Sequence, residues 1–410
     1  MPADRELAED LAQRLGALYG DLEQRLARGM AVRLASGMEA PQWAADKLAA
    51  VGQLRRWVET LLARLDGPMR AEVAQALVLA YARGGDAALG ELARLQSTHP
   101  EWLRLAQVSA PNDALRAAIA RRGLDIASRL RAVERALPGG HALQRLVWSL
   151  TSRLSGTHLP ILRWAEDAYR TVVAQGAAPG VLAGIDTRRL ASQRAWNQLL
   201  TRGITGFTDA AGRRWNLASY VEMSTRTSVA QAAVEGHLDR LSSIGLDLVI
   251  VSDAPQECKR CRPWEGKVLT RGGSAGGGKR TVVIDDPLHA GRTVAVEVAG
   301  SIDDAIAAGL MHPNCRHSIN AYVHGVTRIP TNTQDPEGDK ARQRLRALER
   351  RVRALKLRQA GALTPASARE IGAEVRNAQA QIREHVAATE HLGIRRKPER
   401  ERLNLGNVRQ

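Results

Sequence analysis

The sequence predicts a mainly helical α+β protein, on three observations. Leucines recur at spacings of three and four through the N-terminal half. Short β-branched runs are confined to residues 246–300, where strands are expected. The last stretch, 335–410, is strongly basic yet keeps a helical repeat. An N-terminal helical region, a small β-containing domain and a basic C-terminal helical hairpin are therefore expected. The composition agrees: with eight Trp, five Tyr and one Phe in 410 residues, the core must come from Leu, Val, Ile and Ala. That palette is rich in helix formers.

The first helix is read from Leu7, Leu11, Leu15, Leu18, Leu22 and Leu26, which line one face. "SGMEAPQ" (36–42) breaks it, and Pro41 suits the first turn of the next helix. That helix carries Trp43, Leu48, Val51, Leu54, Val58 and Leu61. More helices are expected to about Leu137, punctuated by "DGP", "RGGD", "HPEW" and "APND". "LPGG" (137–140) marks a boundary. Residues 141–176 continue as amphipathic helix with Trp148 and Trp164 on apolar faces and a break at Pro160. "GAAPGVLAGI" (176–185) reads as a loop. The domain division predicted is 1–138 helical region, 139–202 helical connector, 203–332 α+β domain and 335–410 tail.

From 186 the character changes. Helices are expected at 187–202 and 217–244, with "GFTDAAGRRW" (206–215) as a turn or hairpin between them. "LDLVIVSD" (246–253), "KRTVVIDD" (279–286) and "GRTVAVEVAG" (291–300) read as strands. "SIDDAIAAG" (301–309) has a Ser cap, early acids and a closing Gly, which predicts a short helix. In the tail, Leu345, Leu348, Val352 and Leu355 follow a 3-4-3 repeat. Gly361 and Pro365 make a turn, and 366–388 forms the second helix.

The net charge is +16 with an isoelectric point near 10.7. Half of that excess sits in 335–410, with 18 Lys and Arg against 10 Asp and Glu. Such a segment suits a polyanion, or is simply a solvated Arg-rich surface. Three cysteines cannot build a disulfide framework, so a reducing compartment is expected. The charged opening, MPADRELAED, does not read as a signal peptide. No run of about 18 apolar residues exists, so no membrane span is expected.

The chemistry-bearing pattern is C-x2-C-x50-H-x2-C-x-H, formed by Cys258, Cys261, His312, Cys315 and His317. Tetrahedral zinc takes four N or S ligands, and tight CxxC and HxxC turns each supply two. Pro313 keeps His312 out of the helical region, and in an extended segment Cys315 and His317 share a face. All three cysteines of the chain fall in these two turns. A structural zinc site that stabilises the β-containing domain is expected, and five candidates compete for four places. One histidine is then spare, supporting, or a ligand in place of the other. Two decoys are set aside. "GGSAGGGK" (272–279) resembles a phosphate-binding loop but is followed by Arg280 and a strand, so it reads as a Gly-rich hairpin loop. Asp285 and Asp286 read as turn residues before Pro287. The polar helical stretch with Tyr220, Glu222, Ser224, Arg226 and Thr227 reads as surface hydroxyls and one buried ion pair.

"GITGFTDAAGRRWNLASYVEMSTRTS" (203–228), "SDAPQECKRCRPWEGKVL" (252–269) and "GLMHPNCRHSI" (309–319) resemble the tailed-phage minor capsid protein 2 family, related to the Mu F-like head morphogenesis proteins. "APQWAADKL" (40–48) and the basic tail are similar too. The matching positions are Cys258, Cys261, Gly266, His312, Pro313, Cys315, Arg316 and His317. Some relatives end the second motif in Cys, which moves the expectation towards His317 as a ligand. The resemblance implies a virion protein made in the bacterial host cytoplasm and sited near the portal vertex inside the head. It would assist head assembly, DNA packaging or ejection. Its partners would be the portal or major capsid protein, and packaged DNA through nonspecific backbone contact. No catalytic residue is assigned. The alternative reading is a zinc-dependent nuclease or other DNA-processing enzyme, with His289 or His317 as base near Asp285 and Asp286. A weaker one is a transferase-like site around Arg226 and Glu222.

Overall fold

The computed structural model describes residues 5–98, 140–178, 181, 187–208, 214–243, 245–254, 259–272, 278–289, 291–312, 315, 317–329 and 335–403. Outside them lie Cys258, Pro313, Arg316, the "HPEW" and "APND" punctuation, the helices expected between them, and the residues 209–213 turn. Most of the 176–185 loop and the centre of the Gly-rich loop lie outside as well.

The described chain is mainly helical with small sheets. Its helices are α1 (Arg5–Ala35), α2 (Trp43–Ala49), α3 (Val51–Thr98), α4 (Gly140–Ser155), α5 (His158–Gly176), α6 (Arg188–Arg202), α7 (Leu217–Ser242), α8 (Ile302–Ala307), α9 (Pro336–Ala360) and α10 (Pro365–Ala388). Its strands are β1 (Thr205–Thr208), β2 (Arg214–Asn216), β3 (Leu248–Val251), β4 (Val268–Thr270), β5 (Arg280–Asp285), β6 (Thr293–Val298) and β7 (Ile319–Ala321). The chain packs as two compact units, each assembled from separated stretches. One comprises Gln13–Arg70, Thr151–Glu222 and Lys340–Gln410; the other comprises Met1–Ala12, Ala71–Leu150 and Met223–Asp339.

In the first unit the apolar stripe of α1 is buried through Leu15, Leu22, Leu26, Met30 and Leu34. Trp43 is buried at the start of α2, and its indole N–H donates to the Leu34 carbonyl at 3.0 Å. Arg188 ties α6 to the same corner, donating to the carbonyls of Met38 and Ala40 at 2.6 and 2.7 Å. The tail forms the expected hairpin: Leu345, Leu348, Val352 and Leu355 of α9 pack on Val375, Ala378 and Ile382 of α10. Its turn is anchored by Trp196, whose indole donates to the Gly361 carbonyl at 2.6 Å. Gly361 is closely packed there: a Cβ would lie 2.6 Å from the end of the Leu200 side chain, which would have to shift.

Three expectations in the helical part are corrected. "DGP" and "RGGD" do not break the chain; α3 runs through both. An internal proline removes a helical hydrogen bond, but burial of Leu65, Met69 and Val73 around it holds the helix together. Gly84 serves a crossing instead of a turn. In the second unit α3 and α7 approach backbone to backbone. A Cβ on Gly84 would sit 1.9 Å from the Ala233 carbonyl oxygen, and one on Gly236 would sit 2.0 Å from that of Tyr81. The break between α4 and α5 falls at Gly156 and Thr157, with Pro160 inside the first turn of α5. Trp148 lies on the outside of α4, 72% exposed, and not on an apolar face against the core.

The second unit carries the sheets. β3 is the centre of a three-stranded antiparallel sheet in the order β4–β3–β7, and β5–β6 is a separate antiparallel hairpin. The Gly-rich loop therefore joins strands of different sheets and is not a hairpin turn. Leu238 and Leu241 of α7, with Ala88 and Leu92 of α3, bury Val249, Val251, Leu269, Ile319 and Ala321. Glu91 of α3 caps the outer edge of β7, accepting from the Ala321 N–H at 3.1 Å. Its carboxylate also lies 3.2 Å from buried His237. Arg271, just after β4, is bonded to Asp239 and to the Leu238 carbonyl, and Tyr81 donates to the same Asp239. Helix α8 has the expected cap: the Ser301 hydroxyl accepts from the Asp304 N–H, and the Asp304 carboxylate accepts from the Ser301 N–H. Those bonds hold the Asp304 carboxyl below its ordinary range.

Candidate metal centre

The sheet order explains how motifs fifty residues apart come together. Cys261 lies on the connection from β3 to β4, and Cys315 lies just before β7. Both β4 and β7 pair with β3, so both segments emerge at the same end of the central strand. Pairing continues past that strand on each side. On one side Gly266 N–H donates to the Val251 carbonyl at 3.0 Å, and on the other Ser252 N–H donates to the Ser318 carbonyl at 2.9 Å. The residues between the halves fold away as the β5–β6 hairpin and α8. The long spacing is an insertion between two neighbours of one strand.

Each half is a tight turn. Trp264 N–H donates to the Cys261 carbonyl at 2.9 Å, and Cys315 N–H donates to the His312 carbonyl at 2.8 Å. Gly266 supplies positive φ at 66° where the first segment turns into β4. Met311, just before His312, also has positive φ, at 56°. A non-glycine residue there costs about 1–2 kcal/mol, so the approach to His312 is locally strained. Cys261 is fully buried, and Cys315 and His312 are partly so.

Donor atoms of Cys261, His312 and Cys315 lie within 4.8 Å of one another. The two sulfurs are 3.5 Å apart, and neither cysteine is in a disulfide. Two thiols and an imidazole at that separation form a donor set that could hold a metal ion, and its softness fits zinc. Cys258, which the CxxC spacing offers as a further ligand, lies outside the described residues.

His317 stands beside this cluster and not in it. Its ring lies between two partners. Nε2 donates to Glu265 Oε1 at 2.5 Å, and Nδ1 faces the Cys315 sulfur at 3.5 Å. Burial pulls the imidazole pKa down, but Cys315 and Glu265 outweigh it and the net shift is upward. The Cys315 thiol is held down to about 4, first by the hydrogen bond with Cys261 and then by His317, with burial opposing. Glu265 is not among the candidates that motif spacing offers. Its signal is faint: an acid four residues after a CxxC cysteine, in "CRPWEG".

The other candidates lie elsewhere in use. Asp286 and His289 close the β5–β6 turn: Asp286 accepts from the Leu288 N–H at 2.9 Å and pairs with the His289 ring at 2.9 Å. Asp285 is the last residue of β5, paired with Thr293. Glu222 pairs with Arg353 of α9 at 3.3 Å, a part-exposed ion pair and not the buried one expected of that helical stretch. Ser224 and Thr225 are buried hydroxyls rather than surface ones.

The profile of phage minor capsid protein 2 matches residues 3–387, nearly the whole chain. The chain belongs to the phage minor capsid protein 2 family. This minor capsid protein is thus a structural component of the phage virion. No curated protein and no solved structure matches it. No helix among the described residues is long and apolar enough to cross a membrane.

Proposed function

We propose that this minor capsid protein sits near the portal vertex inside the head, where it assists head assembly and DNA packaging or ejection. A structural zinc ion, held by four of Cys258, Cys261, His312, Cys315 and His317, ties together the segments that lead into β4 and β7 at one end of the central strand. When bound, the ion would supply coordination bonds that replace a larger core, as in small metal-stabilised domains. The basic tail touches packaged DNA through the phosphate backbone, and the portal or major capsid protein is the protein partner. The family match through nearly the whole chain carries this reading. The tail supports it: Arg344, Arg350, Arg351, Arg369, Arg376 and Arg383 are all exposed on α9 and α10.

Gradient fractionation of a phage lysate, probed with an antibody to this chain, tests the assignment. The protein is expected to sediment with DNA-filled heads, in few copies relative to the major capsid protein. Recovery only in the soluble fraction would remove the head assignment.

A further inference from the structure

We propose that Glu265 and His317 are positioning residues for the metal centre, a buried pair that braces the two halves of the site and stays outside the coordination sphere. The inference rests on the metal reading of the Cys261, His312 and Cys315 cluster. Its basis is placement. Glu265 lies four residues after Cys261, on the first segment, and His317 lies two residues after Cys315, on the second. The bond between them, 2.5 Å long, therefore spans the same gap that a metal would span. Their side chains are 0% and 1% exposed, more enclosed than His312 or Cys315.

A carboxylate taken out of water costs several kcal/mol unless it is well bonded. Glu265 Oε1 is bonded twice, by His317 and by the Ala254 N–H at 3.3 Å, while Oε2 is buried without a hydrogen-bond partner among the described residues. Ala254 follows β3, so one carboxylate oxygen links the central strand to both halves of the site. Around one tetrahedral zinc, ligand atoms stand about 3.3–3.8 Å apart, given bonds of 2.0–2.3 Å. His317 Nδ1 meets that spacing to the Cys315 sulfur, at 3.5 Å. It does not join the cluster in which Cys261, His312 and Cys315 are mutually close. A carboxylate on one ring nitrogen fixes an imidazole's orientation whether it ligates or supports a ligand. Standing outside the cluster, His317 faces the Cys315 sulfur and fixes the direction of that ligand. The pair pre-organises the centre, and it holds the segments together before any ion arrives.

Cobalt(II) titrated into the full-length chain separates the roles, because its visible bands report the ligand set. His317→Gln and Glu265→Gln keep a hydrogen-bonding group in place, so both should remain folded. One equivalent of cobalt is expected in each, with band positions unchanged and affinity lowered about 10–100-fold. Glu265→Ala should lose more affinity than Glu265→Gln. His312→Ala should shift the bands or abolish binding. If His317→Gln alters the bands as His312→Ala does, His317 is a ligand and the inference is wrong. Unchanged affinity in Glu265→Ala would also defeat it. A wild-type chain that takes up no cobalt overturns the metal reading and this inference together, whereas the other failures leave the metal reading intact.

Discussion

The sulfurs of Cys261 and Cys315 lie 3.5 Å apart although 54 residues separate them. One antiparallel sheet does this, because β4 and β7 flank β3 and deliver their preceding turns to the same end. The hairpin and α8 can then be long or short without disturbing the pair. Loop closure costs grow only slowly with length, which is why a spacing unlike that of a compact zinc finger is still compatible with one site.

The α3–α7 crossing predicts opposite outcomes for chemically identical substitutions. Gly84→Ala and Gly236→Ala each put a methyl about 2 Å from a backbone carbonyl oxygen. Overpacking of this kind costs roughly 1–3 kcal/mol or more. Gly90→Ala in the same helix meets nothing within 4 Å and should gain up to about 1 kcal/mol from helix propensity. Urea unfolding of the three variants checks this. Equal effects at positions 84 and 90 would mean that the helices do not cross so closely.

Glu401 makes the tail acid-sensitive. It is buried and accepts from Arg396 at 2.6 and 2.8 Å and from Gln379 at 2.8 Å. Burial raises its pKa, but Arg396, Gln379 and Lys356 outweigh it and the net shift is downward. A depressed carboxylate stabilises the fold above its unfolded pKa of about 4.3 and loses that contribution as pH falls through the folded value. Glu401→Gln should cost about 1.5 kcal/mol at neutral pH, the low end for charge-assisted bonds because Arg396 is part-exposed. The variant and the wild type should converge in stability below pH ~3. A constant difference across the acid range would show that the charge is not involved.

The tail cannot be tested by simple deletion. Besides the Trp196 bond, Gln193 accepts from the Leu363 N–H at 2.8 Å, so truncation would disturb α6. Replacing exposed Arg344, Arg351, Arg369, Arg376 and Arg383 by Gln leaves the packing intact. Duplex DNA affinity at low salt should drop, and the log–log salt slope should flatten by roughly 0.9 for each phosphate no longer neutralised. Unchanged slope and affinity would assign the tail to a protein partner or to solvent.

Much of this architecture is legible in the residues. The α1 stripe, the capping box at Ser301, strands β3, β5 and β6 and the tail hairpin all follow local rules. Strands β4 and β7 are not, since three-residue segments such as Val268–Thr270 show no period. Gly84 and Pro68 look like breaks because their reason is tertiary: one permits a helix crossing and the other is overridden by buried neighbours. The cysteine and histidine clustering is visible as spacing, but Glu265 is not, because its partner His317 lies 52 residues away. Long-range pairs of ordinary residues leave no local pattern.

Elemental analysis of the full-length protein, purified without chelator, tests the metal centre most directly. About one zinc per chain is the expected result. Cys261→Ser and Cys315→Ser should each lose it, and hydrogen exchange should show residues 246–325 losing protection while the α9–α10 hairpin keeps its own. A wild-type chain with no bound metal, matched by cysteine variants of unchanged stability, would contradict it.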